Sequence, residues 1–316
     1  MMAEQRIAWL FPGQGAQEVG MGRDLFDGSA AARRLFGTAD ETLGYSISQL
    51  CFDGPAETLQ DTRHAQPALF TASLACLEAA REFGALPKEA PAFVAGHSLG
   101  EYTALVAAGA LDFEDGLRLV QERGRLMQLA AEQQPGSMAA LLGLDEESVT
   151  AICRETGAEV CNINAPGQVV IGGRPNAVDA AMALALERGA QRGVKLRVSG
   201  GFHTSLMRPA AEGMARAVAA APMRDPEVPI VANTTARPIT TAGALREELV
   251  QQLVQPVQWV QSIQYLREQG VDSVIEFGPG RVLTGLAKRI DRSLGVRNVS
   301  DLAGARSQAP ATPAPP

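Results

Sequence analysis

Little in this chain suits a metal, a membrane or a nucleic acid. Its three histidines, His64, His97 and His203, stand at no metal-ligand spacing, and no metal is expected. Its four cysteines, Cys51, Cys76, Cys153 and Cys161, form no Cys-x-x-Cys pair and read as reduced, buried thiols. No segment holds the roughly 18 uninterrupted apolar residues of a membrane span. Lys and Arg number 28 against 35 Asp and Glu, a formal net charge of −7, and no basic block occurs. A nucleic-acid partner is therefore not expected. The polar stretch 1–6 runs straight into an apolar strand, so no secretory leader is expected and the cytoplasm is the default compartment.

What is present is enough apolar residue for one or two globular domains: 46% of 316 residues. Residues 7–11 read as a short strand that ends in the loop Pro12-Gly13-Gln14-Gly15. That loop has no P-loop lysine, and Glu18 stands where a dinucleotide fingerprint needs its third glycine. Residues 65–83 repeat Leu69, Ala72, Ser73, Cys76, Leu77 and Ala80 at helical spacing, and Gly84 stops the helix. A second helix is expected over 114–133.

From Gly136 the texture changes. Strand 138–144, helix 146–155, strands 160–164 and 168–171, helix 176–187 and strand 194–198 follow in turn. That order is the ferredoxin-like split motif, and it assigns 135–199 to a small inserted domain. Strands and helices alternate on either side of it, in 5–134 and 200–292, which argues one larger α/β domain with a parallel sheet. Residues 303–316 are rich in Pro and Ala and are expected to be a disordered tail or linker.

Gly96-His97-Ser98-Leu99-Gly100 lies between an apolar run and a helical one. Strand, Gly-x-Ser-x-Gly, helix is the setting of a nucleophile elbow, which lifts a serine hydroxyl clear of the backbone. A helix N-cap is the plainer reading of Ser98. A serine needs a base. His97 is on the same turn with its ring directed away, and His64 reads as a surface residue. His203 follows Gly200-Gly201 in a loop suited to delivering a ring into a cleft, or is an ordinary loop histidine. Asp112, Asp225 and Asp272 are available acids without a telling context, so an imidazole oriented by a backbone or amide oxygen stays open. Arg123, on the helix over 114–133, either snorkels to water or holds an anion.

These pieces, with Phe11-Pro12-Gly13-Gln14-Gly15, Arg123-Gly124-Arg125-Leu126-Met127, Asn162-Ile163-Asn164-Ala165-Pro166-Gly167-Gln168, Gly201-Phe202-His203-Thr204, Pro256-Val257-Gln258-Trp259 and Glu276-Phe277-Gly278-Pro279-Gly280, resemble the malonyl-CoA:acyl carrier protein transacylase family. The resemblance covers about residues 5–292. It implies an α/β-hydrolase-like large domain with a ferredoxin-like small one. It also implies a monomer that needs no cofactor, with malonyl-CoA as substrate and an acyl carrier protein as partner. It makes Ser98 the acylated nucleophile, His203 its base, and the backbone N–H groups of Gln14 and Leu99 the oxyanion donors. Arg123 would pair with the malonyl carboxylate, and an oxygen of Gln252 would orient the histidine. Met127, Asn162 and Asn164 would lie near the substrate, with Phe202 crowding a 2-methyl branch. Arg192 and Lys195 are the expected basic pair for carrier-protein docking. An acyl hydrolase on the same fold and a generic serine esterase are the rival readings.

Overall fold

The computed structural model describes residues 6–87 and 89–307. Among the described residues, ten strands form two sheets. They are β1 (Ile7–Phe11), β2 (Phe93–Gly96), β3 (Ser137–Leu142), β4 (Glu159–Ala165), β5 (Gln168–Gly173), β6 (Arg192–Lys195), β7 (Ile230–Val231), β8 (Pro238–Ile239), β9 (Ser273–Phe277) and β10 (Gly295–Val299). The larger sheet has the order β10-β9-β1-β2-β7-β8 and is parallel except for the edge hairpin β7–β8.

Strand β1 shows why this sheet is covered on both faces. All five of its residues are buried, the continuous apolar run of an interior parallel strand. Successive side chains point to opposite faces. Ile7, Trp9 and Phe11 join a core built with the helices Ala30–Leu43, Thr62–Glu82 and Phe113–Gln133. Ala8 and Leu10 join a second core under the helices Trp259–Glu268 and Val282–Ile290.

The smaller sheet is antiparallel in the order β4-β5-β3-β6, the ferredoxin-like arrangement. Ala139, Leu141, Val169 and Ile171 bury one face against the helices Glu146–Thr156 and Pro175–Glu187. On the other face Met138, Cys161 and Val170 merge into the core of the larger sheet. The fold class therefore agrees with the sequence reading.

Element ends shift by a few residues in several places, the helices of 23–60 and 208–220 were not read from the sequence, and three further differences bear on the sheets and the tail. The last strand of the small sheet is Arg192–Lys195, which pairs antiparallel with β3 from Leu142 back to Ala139. One further bond, Leu196 N to Met138 O at 2.9 Å, closes the ladder before the chain leaves. Strand β10 lies beyond residue 292 and pairs with β9 along its whole length. Its polar Arg297 and Asn298 hid it from a hydrophobicity pattern. Residues 303–306, placed with the tail by composition, belong to the helix Leu302–Arg306. Asp301 caps it through Gly304 N, Ala305 is fully buried, and Arg297 donates to the carbonyl oxygens of Gly304 and Ser307. The rest of the expected tail lies outside the described residues. All four cysteines are buried and unpaired, and no helix among the described residues is long and apolar enough to cross a membrane.

Candidate active site

The carboxyl ends of β1, β2 and β7 face one side of the larger sheet, where ligands of parallel α/β sheets collect. The turn after β2 is tight. Ser98 sits at φ 52°, ψ −107° between β2 and the helix Leu99–Ala107. A side chain forced to positive φ costs on the order of 1–3 kcal/mol, so the surroundings must hold it. Two glycines make the turn sterically feasible. A Cβ on Gly96 would stand 1.9 Å from the Gly100 carbonyl, and one on Gly100 would stand 2.0 Å from Phe11 O.

A buried polar clamp holds the turn from below. Asn233, just past β7, accepts from Ser98 N at 2.7 Å and donates through Nδ2 to Gly96 O at 2.6 Å. Glu101 Oε1 accepts from Asn233 N at 2.9 Å and from Nδ2 at 3.2 Å. Gln252 Nε2 donates to Ser98 O at 2.8 Å and to Glu101 Oε2 at 2.5 Å. Burial and the nearby Glu248 push the Glu101 carboxyl well above the usual carboxylate range; the amide donors and Arg123 oppose them.

Above the turn, Ser98 Oγ lies 2.8 Å from His203 Nε2. His203 Nδ1 lies 2.7 Å from the backbone oxygen of Gln252. A carbonyl only accepts, so Nδ1 carries the proton and Nε2 is left to accept from the serine. His203 itself adopts φ 61° in the loop after Gly200-Gly201. Burial, then the charge of Arg123, lowers its pKa to about 3, so the ring is neutral near pH 7.

Arg123 is not a surface residue, the role weighed for it in the sequence. It is 1% exposed. Nη1 donates to Gln66 Oε1 at 2.7 Å, and Nη2 donates to Gln252 Oε1 at 2.9 Å and Ser98 Oγ at 3.2 Å. Its carbon Cζ lies 5.1 Å from the Tyr102 ring centre. Nε has no partner among the described residues. The guanidinium thus meets amide oxygens and a hydroxyl, with no ion pair among the described residues. A buried cation in that state is stabilised by an arriving anion.

These groups open onto a cavity of about 370 Å³. Gln14, Met127, Asn162 and Phe202 help to line it. Met127 Sδ also accepts from Gln66 Nε2, and Gln14 Oε1 accepts from Thr62 Oγ1 at 2.6 Å. Leu99 is buried at the first turn of its helix.

Asn164 departs from expectation. It does not line the cavity; its Oδ1 lies 2.8 Å from His97 Nε2, and the His97 ring packs on Trp259 at 5.4 Å. Burial lowers the pKa of His97. That pair braces the elbow. His64 is half-buried, edge-on to Tyr45. Arg192 and Lys195 are exposed on β6 and do not line the cavity, and Lys195 is paired with Asp179 at 2.7 Å.

Sequence reasoning missed Gln66, Glu101 and Asn233, and did not single out Arg197, which also lines the cavity. Glu101 had a usable signal, since it follows Ser98 by one helical turn. Asn233 had another, a polar residue at the carboxyl end of a parallel strand. Nothing in the sequence ties Gln66 to Arg123.

The family described as acyl transferase domain matches residues 8–307. The malonyl CoA-acyl carrier protein transacylase of Bacillus subtilis (strain 168) is 47% identical over 301 residues, 94% of each chain. The protein of the same name from Escherichia coli (strain K12) is 45% identical over 289 residues, 90% of this chain and 93% of that one. Among solved structures, a malonyl-transacylase in complex with its holo type II polyketide synthase acyl carrier protein superimposes with a TM-score of 0.92 at 41% identity. That match covers 95% of this chain and 98% of the other. The acyl-carrier-protein S-malonyltransferase of Burkholderia pseudomallei 1710b gives 0.91 at 42% identity, with the same coverage. An elbow serine, a histidine on its hydroxyl and a buried arginine beside both thus sit in a chain whose relatives match it almost end to end, and the chain belongs to the acyl transferase family.

Proposed function

We propose that this chain transfers a malonyl group from malonyl-CoA to the phosphopantetheine thiol of an acyl carrier protein, through an ester on Ser98. The observation that carries the reading is the shared position of Ser98 Oγ, 2.8 Å from His203 Nε2 and 3.2 Å from Arg123 Nη2. One hydroxyl meets both the base and a buried guanidinium that lacks an anion.

His203 Nε2 takes the serine proton as Oγ attacks the thioester carbonyl. The Gln14 and Leu99 N–H groups would receive the developing oxyanion, Leu99 because the first N–H groups of a helix have no partner within it. The tetrahedral adduct collapses, the C–S bond breaks, and the proton on His203 passes to the leaving coenzyme A sulfur. The carrier thiol then repeats the attack on the Ser98 ester, with His203 accepting and returning a proton. Arg123 holds the malonyl carboxylate through both halves, a bidentate match that an acetyl group cannot make. Met127, Asn162 and Phe202 would shape the acyl pocket, and Asn164 would act indirectly through His97. Residues 135–199 are taken as the small domain closing over the cleft. Four unpaired cysteines and a coenzyme A thioester substrate suit the cytoplasm.

The test is incubation with malonyl-CoA followed by intact-mass measurement. A malonyl adduct that disappears in Ser98→Ala is expected. Release of free malonate without an adduct would favour a hydrolase, and an adduct surviving in Ser98→Ala would remove Ser98 from its role.

A further inference from the structure

Among the described residues, the cavity above Ser98 is lined by two cations, Arg123 at its buried end and Arg197, and by no Asp or Glu. Arg197 is exposed and, among the described residues, makes no hydrogen bond or ion pair. Its neighbours are fixed. Leu196 N donates to Met138 O at 2.9 Å, and the Leu196 and Val198 side chains pack on the core of the larger sheet. The backbone that carries Arg197 is therefore anchored at the cavity, while its guanidinium has no ion pair among the described residues. The other nearby candidates differ. Lys195 is neutralised by Asp179, and Arg192 lies off the cavity.

Both partners of the transfer reach Ser98 on the same chemical arm. A pantetheine arm ends in a phosphate, part of a diphosphate in coenzyme A and a phosphodiester on a carrier protein. When the thioester carbonyl is at Ser98, that phosphate stays toward water. The chain carries a net charge of −7, so its overall field repels such an anion, and a local cation must offset it. Arginine matches a phosphate with two parallel N–H donors.

We propose that Arg197 binds the phosphate at the end of the pantetheine arm, while Arg123 binds the carboxylate at the acyl end. The inference rests on the transferase reading above. It makes Arg197 a substrate-binding residue that recognises the arm and not the acyl group.

The experiment compares malonyl-CoA with phosphate-free malonyl-pantetheine as donors, and holo carrier protein with free pantetheine as acceptors, in native chain, Arg197→Ala and Arg197→Lys. Arg197→Ala is expected to lower kcat/KM for malonyl-CoA relative to malonyl-pantetheine by about three- to tenfold, mostly through KM. Arg197→Lys should restore part of that ratio, and added salt should shrink the difference. An equal ratio loss in the acceptor pair assigns Arg197 to the shared phosphate; a loss in the donor pair alone assigns it to the coenzyme A diphosphate. Unchanged ratios in both pairs, or equal losses with and without phosphate, would overturn the inference. Failure of the native chain to form any malonyl-Ser98 ester would instead overturn the transferase reading.

Discussion

Replacing Arg123 by alanine tests how the site recognises its acyl group. The side chain is 1% exposed and donates to Gln66 Oε1, Gln252 Oε1 and Ser98 Oγ. A charge-assisted hydrogen bond in such a place contributes about 1.5–3 kcal/mol. Loss of the carboxylate contact should therefore cut malonyl transfer by about 10- to 150-fold relative to acetyl transfer. A second loss is common to both donors. Gln252 also binds Ser98 O and Glu101 and orients His203 through its backbone oxygen, so freeing its Oε1 loosens the base as well. The ratio of kcat/KM for malonyl-CoA over acetyl-CoA removes that common factor. A thermal melt checks the fold, because the orphaned amide oxygens cost about 1–3 kcal/mol each. Equal losses for the two donors in a folded variant would mean that Arg123 only braces Gln66 and Gln252.

Four further outcomes follow from the same geometry. Because burial holds His203 near a pKa of about 3, the ring stays neutral as pH falls, and acyl-enzyme formation should be nearly flat from pH 8 to about 5; an acid limb near the ordinary histidine value of about 6.5 would contradict it. The linked stability has the opposite sign: between about 6.5 and 3 the unfolded chain binds more protons at this position, so denaturant midpoints should fall as pH drops through that window. Asn233→Ala removes the acceptor of Ser98 N and the donor to Gly96 O and should lower stability by about 1–3 kcal/mol and depress kcat more than KM; loading kinetics like those of the native chain would mean that the elbow holds its shape without the clamp. Phe202→Ala should narrow the preference for malonyl over methylmalonyl thioesters, by about 10- to 200-fold if one methyl clash sets it, and an unchanged preference in competition assays would take the ring out of selection.

The elbow and the base are one mechanical unit. Gln252 links them: its backbone oxygen fixes the histidine tautomer, its Nε2 holds the Ser98 carbonyl, and its Oε1 receives the arginine. Glu101 and Asn233 close the loop from below. Two non-glycine residues at positive φ, Ser98 and His203, face each other across a 2.8 Å contact. Each conformation is costly alone and is held by packing and hydrogen bonds that converge on the same few side chains.

This convergence also decides what the sequence could reveal. The elbow was legible because its requirements are local. Gly96 and Gly100 are demanded by contacts of about 2 Å with backbone a few residues away or on β1, and no other residue type satisfies them. Many strands and helices were legible by period or as apolar runs, residues 7–11 among them, whereas the helices Arg23–Gly28, Ala30–Leu43, Ile47–Asp53, Ala56–Gln60 and Arg208–Ala220 were not read from the sequence. Strand β10 and the helix Leu302–Arg306 were not legible either, since their stability comes from one parallel ladder, an aspartate cap and the buried Val299 and Ala305. The group that orients the histidine was legible only through the family resemblance, and the reason is chemical. A backbone carbonyl supplies what an aspartate would, and every residue has one. Searching for an acid among Asp112, Asp225 and Asp272 looked for a side chain where the fold uses none: Asp112 pairs with Arg224, and Asp225 accepts from Ala242 N. The status of Arg123 was equally hidden. On its helix, Leu119, Val120, Leu126 and Met127 are buried with it, so the arginine lies within the apolar face. Only the amide oxygens of Gln66 and Gln252, 57 and 129 residues away in the chain, make that position tenable for a cation. A charge inside an apolar face was therefore the informative exception to the pattern. Its meaning became readable once the fold had placed an unpaired guanidinium beside the nucleophile.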